Sequence, residues 1–233
     1  MNILAIDTSN QPMSIAIYED HKPLGELTWN VKRTHSVQLM PSIQYILNEV
    51  KLNPNDLDKI IVANGPGSYT GLRIGMTTAK TLAWTLKIPL VMISSLELLA
   101  ANVIYSNGLV CPFFDARRGN VFTGLYRANM GNLTVEESDT NVSMDEWLTH
   151  LQTYDEPIMF VSSTAHQLKE VVNQKLGDQA KWVEGHFSMP HAGQLVLLGK
   201  DRDGVDVHTA SPNYHRLVEA EAKWREKKKN GNG

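Results

Sequence analysis

Short apolar bursts separated by turn residues open the chain. Residues 3–6 form an apolar run that reads as a buried strand and ends at Asp7, Thr8 and Ser9. Residues 14–18 alternate as a second strand after a turn at 10–12, and residues 24–29 make a third, so the chain begins as a three-strand meander. The period then changes. Over residues 36–50, Leu39, Met40, Ile43, Ile46, Leu47 and Val50 fall within an arc of about 120°, which predicts a helix with one buried stripe. Pro41 inside it removes one amide donor and is expected to bend the first turns. Residues 59–63 read as a strand, 72–86 as a helix with Leu72, Met76, Ala79, Ala83 and Leu86 on its core side, 90–93 as a strand and 95–105 as a helix. The first half is βββαβαβα.

The second half repeats that order. The run from Phe114 to Tyr126 lies over the run from Ile6 to Tyr18, with one shift of 108 positions for the aspartates Asp7 and Asp115 and for the tyrosines Tyr18 and Tyr126. Residues 133–136 supply a third strand, and 144–151 a short helix with Trp147, Leu148 and Leu151 on one face. A strand at 158–161, a helix at 164–176, a strand at 181–183 and a helix at 191–200 follow. Two copies of one element order predict two similar α/β domains, 1–106 and 107–233, joined near Asn107 and Gly108. After an extended run at 209–216, residues 217–229 read as a short charged helix whose lysine-rich end frays into solvent.

One stretch departs from this plain patterning. Residues 64–75 hold glycines at 65, 67, 71 and 75 with Pro66, Ser68 and Thr70, between a strand and a helix start. Strand, tight glycine turn and helix N-terminus together are how phosphate-binding loops are built, and Ser68 or Thr70 can cap the helix. The spacing fits neither Gly-x-x-x-x-Gly-Lys-Ser/Thr nor Gly-x-Gly-x-x-Gly. Residue types alone leave two readings open, a phosphate cradle and a turn whose glycines serve backbone geometry.

Composition narrows the classes. A 42% hydrophobic, 20% charged chain of 233 residues supports a sizeable core. A net charge of −3 argues against a free-standing nucleic-acid binder. The single cysteine, Cys111, excludes an intramolecular disulfide and fits a reducing compartment. No apolar run is long enough to span a membrane and no basic leader opens the chain, so the expected location is the cytoplasm, with no membrane partner.

Five motifs carry a resemblance. Ile6-Asp7-Thr8-Ser9, Thr34-His35-Ser36, the run from Gly65 to Gly75, Asp115-Ala116-Arg117-Arg118 and the run from Pro212 to Arg216 are similar to those of the TsaB (YeaZ) family, a glycoprotease-like branch of the actin-like ATPase superfamily. The resemblance covers residues 2 to about 225. It implies a ribonuclease H-like, actin-like α/β fold and a non-catalytic part in making threonylcarbamoyladenosine at position 37 of tRNAs that read codons beginning with A. The implied partners are the paralogue TsaD, the ATPase TsaE and a second copy of the chain, with tRNA reached only through the complex. ATP and metal are then expected on the partner subunits. The catalytic paralogue's His-x-x-x-His pair is not reproduced, since Leu39 stands four positions after His35, and no metal site is expected here.

The residues leave a weaker enzyme alternative, a small actin-like ATPase or kinase using Asp7, the 65–71 loop and Asp115, and a vestigial nucleotide or anion site would draw on Asp7, Thr8, Ser9, Gly65, Gly67, Ser68, Asp115, Arg117 and Arg118. Against it, no glycine follows Asp7, and the two arginines can equally pair with surface carboxylates. A tRNA-binding module using Arg117, Arg118 and the terminal lysines is a third class. For the partner function the resemblance points to the two helices of the first half. Val37, Pro41 and Tyr45 lie off the core stripe of one, and Arg73, Thr77, Lys80 and Trp84 off that of the other. Small residues at Gly75, Thr77, Thr78 and Thr81 are expected to let a partner helix approach.

Overall fold

The computed structural model describes residues 1–31, 34–164 and 168–214. In the first half β1 (Asn2–Asp7), β2 (Met13–Glu19) and β3 (Lys22–Trp29) form the meander. They are followed by α1 (His35–Glu49), β4 (Lys59–Ala63), α2 (Tyr69–Leu86), β5 (Leu90–Ile93) and α3 (Ser95–Ala100). The second half gives β6 (Asn107–Arg117), β7 (Asn120–Asn129), β8 (Asn132–Ser143), α4 (Met144–Leu151), β9 (Ile158–Val161), α5 (Lys169–Leu176), β10 (Ala180–Trp182) and α6 (Ala192–Gly199). The sheet orders β3-β2-β1-β4-β5 and β10-β9-β6-β7-β8 are the same arrangement read from opposite edges. In each, the first strand is antiparallel to the second and parallel to the fourth.

Alternation along each strand decides what covers it. From β1, Leu4 and Ile6 meet Leu39, Ile43, Ile46 and Leu47 of α1 and Met76, Ala79 and Ala83 of α2. Ile3 and Ala5 point the other way, onto Ala192, Leu195 and Val196 of α6. β1 is apolar almost throughout because both of its faces are covered. In the second sheet, Leu109, Cys111 and Phe113 face α4 and α5, while Val110 and Phe114 face Leu96, Leu99 and Ala100 of α3. Each central helix thus covers the sheet of the other half, and α3 and α6 touch between the sheets. Each fully buried Leu, Ile or Val side chain contributes about 1.5–3 kcal/mol.

Several elements differ from the pattern-based expectation. Met40 is exposed, because it lies at the edge of the 120° arc while Leu39, Ile43, Ile46 and Leu47 take the sheet side. The helix expected over 95–105 ends at Ala100 and tightens into a 3-10 turn, Ala101–Val103, before β6. β8 runs to Ser143, well past 136; its polar residues suit an exposed edge strand and hide it from a hydrophobicity pattern. α5 begins at Lys169, and residues 165–167 lie outside the described residues, as do the helix expected at 217–229 and the lysines at its end.

The shift of 108 does not carry through the pairing either. Tyr18 lies opposite Ile3, but Tyr126 lies opposite Val110, one residue off that shift. β1 stops at Asp7, one residue past its last parallel partner, and Asp7 is fully buried. β6 continues to Arg117, so Asp115 stands three residues beyond the last β6–β9 pair and is exposed. The two aspartates match in sequence and not in environment.

Candidate functional site

The glycine stretch closes on the end of β1. Ser68 caps α2, its hydroxyl accepting the Gly71 amide at 3.3 Å, which is worth about 1 kcal/mol. The Ser68 amide donates to the Ser9 carbonyl at 2.6 Å, the Leu72 amide to the Ser68 carbonyl at 2.8 Å, and the Gly65 amide to the Ser95 hydroxyl at 3.1 Å. A Cβ at Gly65 would overlap the Asn213 carbonyl oxygen, one at Gly67 that of Ser9, and one at Gly71 that of Thr8. Three carbonyl oxygens therefore face the three glycines, and four amides near the helix start are already engaged. A phosphate cradle presents the reverse, free donors around an open space. Gly75 also turns inward, against the Thr8 hydroxyl, which donates to the Gly71 carbonyl at 2.7 Å. It is not on an outer face available to a partner helix; exposed Thr77 and Thr81 are.

Asp7 lies at the bottom of this knot. Its Oδ1 accepts the Ser9 amide at 2.8 Å, while Oδ2 has no hydrogen-bond partner among the described residues. Burial pushes its carboxyl above the usual range, opposed by the Ser9 bonds and the nearby His35. The His35 ring donates through Nε2 to the Asn10 carbonyl at 2.8 Å, which anchors the start of α1 beside the same loop. Asp7, Thr8, Ser9, Gly65, Gly67 and Ser68 are thus brought together. Asp115, Arg117 and Arg118 sit on the β6–β7 turn, where the Arg117 amide donates to Asp115 Oδ1 at 2.7 Å and both arginines and Gly119 take left-handed φ.

Among the described residues no group of three or more His, Cys, Asp or Glu is arranged to hold a metal ion. His186 and His191 do meet, ring centroids 3.9 Å apart, but as part of a half-buried link. His191 Nδ1 faces Glu26 at 3.0 Å and Nε2 faces the His186 carbonyl at 2.9 Å. Both contacts are acceptors, so the imidazolium makes both bonds. Burial lowers its pKa, but Glu26 and the carbonyl outweigh burial and the net shift is upward.

The outer side of α1 and α2 is a different kind of surface. The two helices lie side by side on one face of the first sheet. Val37 is 70% exposed, Trp84 64%, Tyr45 55% and Met40 48%, with Pro41 exposed among them. Arg73 and Thr77 are exposed and Lys80 is half-buried. A strap formed by residues 205–214 runs beside α2. Val205 bridges to Leu90, Ala210 is buried in the core of the first half, and the Asn213 amide donates to the Asn64 carbonyl at 2.7 Å. Lys80 Nζ donates to the Ala210 carbonyl at 2.6 Å and the His208 carbonyl at 3.3 Å. Arg73 stacks over the Tyr69 ring at 4.2 Å and donates to the Tyr214 hydroxyl at 3.2 Å, with the two tyrosine rings 5.0 Å apart. A groove of about 580 Å³ opens between Trp84, Lys87 and Ile88 of the helix end and Asp206, Val207 and His208 of the strap. The extended run at 209–216 was expected, but its docking beside α2, with Tyr69, Tyr214 and exposed Met40 on this surface, was not found from sequence: backbone carbonyls receive Lys80, and no residue type announces that.

Comparison with known proteins agrees with this architecture. A family model described as TsaD, tRNA N6-adenosine threonylcarbamoyltransferase, matches residues 25–224. The tRNA threonylcarbamoyladenosine biosynthesis protein TsaB of Bacillus subtilis is 45% identical over 229 residues, 98% of this chain and 100% of that protein. A Pseudomonas aeruginosa protein described as uncharacterized with similarity to peptidase YEAZ superposes with a TM-score of 0.79 at 24% identity, covering 92% of this chain and 99% of that one. YeaZ from the same organism gives 0.74 at 24% identity, covering 91% and 99%. At that identity the structures speak to fold alone. The doubled βββαβαβα arrangement is an actin-like, ribonuclease H-like α/β fold.

Proposed function

This chain belongs to the TsaB family of tRNA threonylcarbamoyladenosine biosynthesis proteins, and from that premise we propose that it is a non-catalytic subunit that supports the modification by holding a TsaD-type partner. In this reading α1 and α2 present Val37, Met40, Pro41, Tyr45, Thr77 and Trp84 to the partner, with Arg73 and Lys80 at the strap side. The same face pairs two copies when the partner is lacking. The assembled pair recruits the TsaE ATPase, tRNA is bound by the complex, and ATP and metal sit on the other subunits. The cytoplasm is its place of action, and no described helix is long and apolar enough to cross a membrane.

The exposed apolar face of α1 and α2 carries the proposal. Four large apolar side chains on two adjacent helices make an anchor cluster of the kind found at interface centres. The glycine knot supports it from the other side, because four of its amides bond within the chain and carbonyl oxygens stand beside three of its glycines.

The test is threonylcarbamoyladenosine formation on tRNA by the purified bacterial components. Reactions lack this chain, contain it, or contain a Val37→Ala, Tyr45→Ala, Trp84→Ala triple variant. Loss of activity without the chain and with the triple variant, and retention with Asp7→Asn, is the expected pattern. Full activity in its absence would overturn the proposal. Activity abolished by Asp7→Asn in a folded protein would favour the ATPase reading instead.

A further inference from the structure

The two helices of the exposed face are unusual in charge. α1 has Glu49 at its last residue and no other Asp, Glu, Lys or Arg. α2, 18 residues long, has Arg73 and Lys80 and no acidic residue, and Lys87 follows as its C-cap. None of these three cations has a carboxylate within ion-pairing distance among the described residues. Among the described residues Arg73 and Lys80 are held by neutral acceptors, a tyrosine hydroxyl and ring and two backbone carbonyls, with no carboxylate to offset their charge. The nearest acid on the strap, Asp206, is turned into its own bend, where it accepts the His208 amide at 3.0 Å and the Thr209 hydroxyl at 3.2 Å.

A two-fold contact between copies places α2 against the α1 or α2 of the other copy. Neither supplies a carboxylate, apart from Glu49 at the far end of α1. A copy therefore brings apolar complementarity and like charge, which costs affinity. We propose that this face selects a protein partner whose contacting surface is apolar with carboxylates opposite Arg73 and Lys80, and that charge is what favours such a partner over a second copy. The proposal rests on the reading of α1 and α2 as the partner face. The two cations are seven residues apart, about 10 Å along the helix, so two carboxylates two turns apart on one facing helix match them. An RNA backbone is a poorer fit. α1 offers it Val37, Met40, Pro41 and Tyr45 and no cation, where phosphate binding draws on several.

Opposite charge is screened by salt and so is repulsion, and the two assemblies must respond with opposite sign. Binding of the full chain to the TsaD-type protein of its own source is measured by calorimetry, and self-association by sedimentation. Raising salt from about 50 to about 300 mM is expected to weaken the mixed complex about tenfold and to leave self-association unchanged or stronger. Thr77 lies one turn from Arg73 and from Lys80, so Thr77→Glu sets one carboxylate beside both and offsets half of their joint charge without removing either. Thr77→Glu is expected to weaken the mixed complex about tenfold more than Thr77→Gln, which adds the same bulk without the charge. A mixed complex indifferent to salt, or unaffected by Thr77→Glu, overturns the proposal. So does tRNA alone binding the chain in a manner lost with Thr77→Glu. The Val37→Ala, Tyr45→Ala, Trp84→Ala variant separates the two levels. If it still binds the partner, the interface reading itself fails; if it does not, the salt and Thr77 results bear on charge alone.

Discussion

Asp7 is the most constrained residue of the glycine knot. Buried, with one carboxylate oxygen bonded to Ser9 and the other without a partner among the described residues, it is held more easily as the neutral acid. Its folded pKa is raised above the ordinary 3.8, so the folded state binds the proton more tightly than the unfolded chain does. Its contribution is therefore favourable at low pH and is lost as pH rises from that ordinary value through the folded one. Asp7→Asn keeps an oxygen for the Ser9 amide and removes the charge. Thermal melting at neutral pH is expected to rise, and its dependence on pH across the acidic window to flatten. A variant that melts lower at neutral pH would show that the carboxylate is compensated after all. The same residue explains a difficulty of reading the site from sequence. Asp7 and Asp115 are equivalent by letter and spacing, but one is buried one residue past its last parallel partner while the other stands exposed three residues past its own.

At the scale of elements, the buried stripes of α1, α2 and α4 were legible because 3.6-residue periodicity maps directly onto a sheet face. The strap and the length of β8 were not, since both are held by backbone pairing that polar sequence does not signal. Nor was the join between α6 and β3. There Glu26 reaches across to His191, next to the amide of Ala192, which donates to Ser14 at 2.9 Å. His186 is the other titratable group beside the His191 ring, and the Tyr18 hydroxyl lies with Glu26 against Gly193. With its folded pKa above the ordinary 6.5, His191 adds stability that is fully present below that value and is lost as pH rises through the folded one. Glu26→Gln is expected to cost about 1–3 kcal/mol below the ordinary histidine value and less above the folded one. Denaturant titrations of parent and variant across that range check it. A difference that does not shrink with rising pH would mean that His191 is not the titrating partner.

The whole molecule is tied together by exchange. α6 comes from the second half and buries Ala192, Leu195 and Val196 on the first sheet, and α3 comes from the first half and buries Leu96, Leu99 and Ala100 on the second. Ser94, the cap of α3, donates to Asp139 of β8, which also accepts the Tyr126 hydroxyl at 2.5 Å. Asn102 donates to the carbonyls of Phe187 and Met189 at 2.9 and 2.5 Å. The duplicated order suggests units 1–106 and 107–233, yet a piece cut there would leave Ile3, Ala5, Ile61, Val91 and Ile93 without the helix that covers them. Each such side chain left in water forfeits about 1.5–3 kcal/mol, against a total stability of only about 5–15 kcal/mol for an ordinary domain. We propose that the two units fold as one. The intact chain is expected to melt in a single transition with matching calorimetric and van't Hoff enthalpies. Fragment 1–106 alone is expected to lack a cooperative transition and to regain one when fragment 107–233 is added. Two separated transitions in the intact chain, or a fragment 1–106 that melts cooperatively by itself, would show instead that the exchanged helices join two independent domains. A chain that folds as one unit fixes α1, α2 and the strap at one geometry, and that rigidity lowers the ordering cost of the partner binding proposed above.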